Sequence, residues 1–175
     1  MQGERTSVWI DGIQRHLQDL QKDAYEGASG AARHARYVAA FELLTPVAVD
    51  VLQQVNASLL RGRGDVSVRA VGPDGYRGQI GSWLLTWPEL SESSSRFTGK
   101  PLQPVTISAI FPAGFTHPHI VEGGPVDPGA ASIAAWPMQI TSREDAEQHR
   151  PVFWAIATAE VHDRIYQSSW RVIPS

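Results

Sequence analysis

Val66-Ser67-Val68-Arg69-Ala70-Val71-Gly72-Pro73-Asp74-Gly75-Tyr76 lies where the texture of the chain changes from helical to extended. Val66, Val68 and Ala70 alternate with Ser67, Arg69 and Val71, and a period of two puts neighbouring side chains on opposite faces of a strand. Gly72-Pro73-Asp74-Gly75 then supplies turn chemistry: glycine tolerates positive φ, proline presets one dihedral, and aspartate accepts hydrogen bonds from the backbone that follows it. Tyr76 to Trp87 reads as the returning strand. Its glycines at 78 and 81 predict a bulge or a close backbone approach.

Downstream, Ser91 to Lys100 is a polar loop, Pro104 to Phe111 a further strand, and Ala135 to Ile140 one more. Pro112 to Gly129 is too rich in proline and glycine for regular helix. Ser142-Arg143-Glu144-Asp145 carries an N-cap residue and first-turn acids, the start signal of a helix. Pro151 either interrupts that helix or begins a second. From Phe153 to Tyr166 the alanine-rich composition favours helix, although Trp154, Ile156, Thr158, Glu160 and His162 also fit a period of two.

Upstream of the hairpin the pattern is helical. Val8, Trp9, Ile13, Leu17 and Leu20 recur at helical spacing behind Ser7, a plausible N-cap. Gly27-Ala28-Ser29-Gly30 breaks the pattern. A second helix is predicted from about Ala31 to Leu60, with Tyr37, Phe41, Leu44, Val51, Val55 and Leu59 as its apolar stripe and a kink at Pro46. Arg61-Gly62-Arg63-Gly64 suits a helix end, since glycine adopts the left-handed cap and cations favour the C-terminus. The reading is an α+β protein: a helical N-terminal arm, residues 1–63, and a mostly antiparallel β body, residues 64–175, forming a partial barrel.

Composition narrows the function. The 175 residues are 42% hydrophobic and 19% charged, ordinary for a globular chain. A net charge of −3 gives no electrostatic reason to expect nucleic acid or an anionic membrane as partner. There are no cysteines, so disulfides, thiolate zinc sites and cysteine nucleophiles are excluded together. The N-terminus lacks an apolar signal core and no apolar run approaches about 18 residues, which points to a soluble cytoplasmic protein. Six tryptophans are many for this length. They are core anchors, or a flat wall for an aromatic ligand.

Chemistry concentrates in Gly114-Phe115-Thr116-His117-Pro118-His119-Ile120-Val121-Glu122. On extended backbone His117 and His119 point the same way, and a turn that returned Glu122 would complete a two-histidine, one-carboxylate triad suited to non-haem Fe(II), Zn or Mn. The same residues also read as a solvated surface loop. His162, between Glu160 and Asp163, is a second candidate ligand or general base, and equally a surface helix histidine. His149, His16 and His34 look structural or solvated. Trp83 and Trp87 share one strand face, and with Phe115 and Trp136 they wall an apolar pocket or fill the interior. Phosphate-loop, dinucleotide, G-x-S-x-G and H-E-x-x-H motifs are absent.

His117-x-His119-x-x-Glu122, following a glycine among short strands, resembles a shortened first cupin motif, in which HxH is followed by three or four residues and then Glu. The second cupin motif, with its final histidine, has no counterpart, since Gly124-Pro125-Val126-Asp127-Pro128-Gly129 contains none. A cupin-like body behind a long helical arm resembles the small subunit of the two-subunit hydroquinone 1,2-dioxygenases. That resemblance implies a larger cupin-type partner subunit holding the Fe(II), an aromatic substrate faced by Trp83, Trp87 or Phe115, and a vestigial His117–His119–Glu122 set in this chain. The apolar stripe and Trp9 lead to the expectation that the first 30 residues pack on such a partner. A self-contained metal-dependent enzyme and a non-catalytic binding or assembly protein are the alternatives.

Overall fold

The computed structural model describes residues 7–21, 30–114, 117–123 and 134–175. Two helices lead, α1 (Ser7–Gln21) and α2 (Gly30–Leu59). Three strands follow, β1 (Asp65–Pro73), β2 (Gln79–Thr86) and β3 (Val105–Phe111), with the short α3 (Pro88–Ser91) between the last two. The chain continues through β4 (His119–Glu122), β5 (Ala135–Pro137), α4 (Arg143–Gln148) and α5 (Arg150–Gln167), and closes with a 3-10 turn at Trp170–Val172. The five strands pair in chain order, each antiparallel to the next. The class is α+β. Among the described residues the sheet is an open meander with β1 and β5 at its edges, where a partial barrel was expected.

The local signals act as their chemistry requires. Asp74 Oδ1 accepts the backbone N–H of Tyr76 at 2.6 Å and of Gly78 at 2.8 Å, which closes the β1–β2 turn. α2 ends where Arg61 and Gly62 take positive φ and the Gly62 N–H reaches back to the Asn56 carbonyl at 3.0 Å. At α4, Ser142 and Asp145 form a reciprocal capping box. Pro151 sits in the first turn of α5, where its missing N–H costs nothing, so it begins that helix. The segment with two periodicities is therefore helix. The last predicted strand, Ala135 to Ile140, is shorter than expected, ending at Pro137, and β4 forms within the region read only as non-helical.

One face of the sheet carries the main core. Trp83 and Leu85 of β2, Val105, Ile107 and Ala109 of β3, and Ile120 of β4 pack against buried residues of α2 and α5 in one continuous cluster. The boundary at residues 63/64 thus separates helix from strand, not one packing unit from another. α2 is long and apolar enough by length and composition to cross a membrane, but nine of its residues, Tyr37 to Val55, are buried within this protein. The Tyr37 hydroxyl donates to the Ala109 carbonyl at 2.6 Å and ties the helix to the middle strand. On the other face Ile80, Ile110 and Val121 form a small second cluster. Beside it the Ser82 and Ser108 hydroxyls bond each other at 3.0 Å.

Gly81 is where α2 comes closest to the sheet. A Cβ built there would stand 2.5 Å from Phe41 Cε2. The Phe41 ring cannot retreat easily, because it is 5% exposed and stacked on Trp83 with centroids 4.6 Å apart. Gly81→Ala is expected to cost about 1–3 kcal/mol, the range for overpacking a dense core. Urea unfolding checks this, and an unchanged midpoint would show that the ring has room to move.

Candidate functional site

Trp83 and Trp87 are buried, 0% and 2% exposed. Trp83 is sandwiched between Phe41 and the edge of Phe153, and its indole N–H donates to Thr45 Oγ1 at 3.0 Å. Trp87, just past β2, donates its N–H to the Val172 carbonyl at 2.6 Å. With both rings enclosed and both polar handles bonded within the chain, neither faces a ligand, and the substrate-wall reading gives way to the core reading. Phe115 lies outside the described residues.

Trp136 stands differently. It is half-buried on β5 and walls a cavity of about 260 Å³ between α1, β5 and α4, opposite Ile13 and Gly12. Several polar groups around that cavity have partners. His149 bonds the carbonyls of Asp145 and Pro137, and Arg15 lies 3.9 Å from Asp145.

The His117–His119–Glu122 set does not fit an iron ion. His119 and Glu122 are three residues apart on β4, an odd spacing that sends their side chains to opposite faces, with about 10 Å of strand between them. No turn intervenes to bring the carboxylate back. Among the described residues, no group of three histidine, aspartate or glutamate side chains is arranged to hold a metal.

Instead, the two histidines meet a third that sequence reasoning passed over. His16 of α1 places its ring edge-on to His117, with centroids 4.6 Å apart, and to His119 at 5.7 Å. Burial is the main cause holding all three imidazoles below the ordinary histidine pKa. The His16 charge adds to the effect at His117 and His119, while Asp19 opposes it at His16 and His117. His16 Nδ1 is buried without a hydrogen-bond partner among the described residues. No local motif marks His16. Only its position one helical turn from Gly12 and from Asp19 places the three on one face of α1.

That face is the inner one. Gly12, His16 and Asp19 are the half-buried positions among residues 10–21 of α1, and Asp19 accepts a 2.7 Å hydrogen bond from Gln139. The aliphatic residues described on α1 are the more open ones: Ile10, Ile13, Leu17 and Leu20 are between 37% and 53% exposed. An amphipathic helix normally buries its apolar stripe. Among the described residues of α1 these aliphatics stay exposed instead.

The other candidate, His162, is exposed on α5. The carboxylates expected to orient it both serve Arg164, with Glu160 at 2.7 Å and Asp163 at 2.6 Å. No protein-family model, characterised protein or solved structure shows a match to this chain.

Proposed function

We propose that this chain is a non-catalytic subunit that docks on a larger protein through α1, as the small subunit of a two-subunit ring-cleaving dioxygenase whose Fe(II) sits in a larger cupin-type partner. The observation that carries the reading is the outward apolar stripe of α1, exposed while the polar face of the same helix grips the body. Ile10, Ile13, Leu17 and Leu20 follow one another at spacings of three, four and three, the seam of a helix that packs along another helix. The stripe favours a protein surface over an anionic membrane, because the charged residues of α1 are Asp11, Arg15 and Asp19, and a membrane-seeking helix is rich in lysine and arginine. The choice of a cupin-type partner and an aromatic substrate comes from the sequence resemblance. In this role the buried tryptophans stiffen the subunit, and the aromatic substrate belongs to the partner's surface.

Co-expression with an iron-bearing large subunit of the hydroquinone dioxygenase type tests the proposal. A stable complex is expected by light scattering, with hydroquinone cleavage that depends on both chains. Ile13→Glu with Leu17→Glu should weaken the complex on the order of a hundredfold, since each half-buried aliphatic contributes roughly 1–2 kcal/mol and a carboxylate at the seam adds a desolvation cost. The isolated double variant should melt like the parent, because both positions are exposed. A chain that stays monomeric beside the large subunit, or a complex indifferent to the two glutamates, overturns the reading.

A further inference from the structure

β1 is an edge of the sheet, and among the described residues Asp65 to Arg69 make no backbone hydrogen bond beyond their pairing with β2. Unpaired N–H and C=O groups along an edge strand are a template for another strand, which proteins usually blunt. Here the blunting is partial. Pairing with β2 is regular from Asp65↔Thr86 to Arg69↔Ser82, then the register shifts between Arg69 and Gly72, with Pro73 beyond. A bulge and a proline stop regular pairing past Arg69 and leave an open segment, Asp65–Arg69, centred on Ser67.

The side chains of this segment are self-complementary. Val66 and Val68 stand opposite Leu85 and Trp83 on the face that α2 and α5 cover, and Asp65, Ser67 and Arg69 occupy the other face. Trp83 is fully buried, yet its neighbour Val68 is 45% exposed, so the hydrophobic layer runs out to the sheet edge and stops there uncovered. Asp65 and Arg69 are exposed, and neither has an ion pair among the described residues. About 13 Å of strand separates them, too far for them to pair with each other. A second copy, turned about a twofold axis at Ser67, answers each feature. Ser67 then faces Ser67 of the second copy, Val66 faces Val68, and Asp65 faces Arg69, the last two pairs each occurring twice. Apolar and opposite-charge pairs directly across two strands are the stabilising ones. A centre on Val66 would set Arg63 against Arg69, and a centre on Val68 would leave both charges facing uncharged residues.

We propose that the chain forms a twofold homodimer through β1, which joins the two sheets edge to edge over Asp65–Arg69 with reciprocal Asp65–Arg69 ion pairs and Val66–Val68 contacts. The axis runs perpendicular to the sheet, so both helical layers lie on the same side and each covers part of the other's open margin. The pairing uses up the β1 edge of both copies, and the assembly closes at two. α1 packs on the β5 side of the sheet, so the dimer leaves the α1 docking face free and stands whether or not that reading survives.

The test is sedimentation equilibrium of the purified chain at low ionic strength. So short a strand pairing belongs to the small, weak class of interfaces, and half-dimerisation is expected on the order of 10–100 µM chain. Arg69→Glu sets like charges opposite each other twice and should weaken the dimer about tenfold or more. Its melting temperature at low chain concentration should match the parent's, because the position is exposed. Asp65→Arg with Arg69→Glu reverses both partners and should bring dimerisation back to within about threefold of the parent. The chain has no cysteines, so Ser67→Cys carries a single thiol that a short bifunctional thiol reagent should couple to its copy across the axis. Thr98→Cys, equally exposed on the loop before β3, should couple far less. The proposal is overturned if the parent stays monomeric up to about 500 µM, well above the range expected of a weak interface. It is also overturned if Arg69→Glu dimerises like the parent, if the reversed double variant stays as weak as the single one, or if residue 67 couples no better than residue 98. A dimer that dissolves only with Ile13→Glu and Leu17→Glu belongs to the α1 seam and overturns it as well.

Discussion

Arg164→Met is expected to destabilise the protein by about 3–5 kcal/mol at pH 8, and by less at pH 5. The guanidinium is 8% exposed and spends its donors on Glu160, on Asp163 and on the carbonyls of Gln103 and Pro104. Removing it leaves the Gln103 carbonyl without a donor, while the Pro104 carbonyl keeps the Thr106 hydroxyl at 3.0 Å, and it leaves Glu160 as an uncompensated buried carboxylate, the costly way to break a buried pair. Burial already pushes the Glu160 pKa above the ordinary carboxylate value, and Arg164 is the main influence holding it down. Without Arg164 the folded-state pKa rises further. The folded variant then binds a proton that the unfolded chain gives up, so its stability falls as pH rises from the ordinary carboxylate value through the raised one. Denaturant midpoints at the two pH values measure this. The double variant Arg164→Met with Glu160→Leu should recover much of the loss and lose the added pH dependence, because the stranded charge is gone. A single variant with equal loss at both pH values would show that the loss comes from packing and from the Gln103 carbonyl rather than from Glu160.

Trp83→Ala should cost about as much, ~3–5 kcal/mol, which for a chain of this size lowers the melting temperature on the order of 10 °C. Trp83 is fully buried between Phe41 and Phe153, so truncation empties the centre of the layer between sheet and helices. Trp83→Phe keeps an aromatic ring against Phe41 and loses mainly the hydrogen bond to Thr45, for which about 1–2 kcal/mol is expected. Urea unfolding with an unchanged slope checks both values. The comparison also separates the core role from the substrate-wall role. A core tryptophan shows its loss in stability, while one that contacts substrate shows it in turnover of a folded complex. Normal stability in Trp83→Ala would contradict the packing described here.

What the sequence determined on its own was local. The Asp74-Gly75 turn signal, the Arg61-Gly62 helix end and the Ser142 cap each act through the backbone within a few residues, so their chemistry is complete in the string itself. The turn itself falls at Asp74–Gly78 with Gly72 and Pro73 still in β1, and only the structure shows that Pro151 begins a helix. At Gly81 the string suggested a bulge or a close backbone approach, and only the fold shows that the space is filled by the Phe41 ring, a side chain. Alternation placed Trp83 on a strand face but could not tell a face covered by α2 and α5 from one open to ligand, because burial depends on elements distant in sequence. The triad failed on parity: two histidines at even spacing share a face, and Glu122, at odd spacing from both, required a turn that β4 does not make. His16 lies about a hundred residues from the pair it touches, and no local rule connects them. The orientation of α1 was likewise a tertiary outcome. Its periodicity marks an apolar stripe and a polar one, and only the docked structure shows that Gly12, His16 and Asp19 face inward while the aliphatic seam faces out.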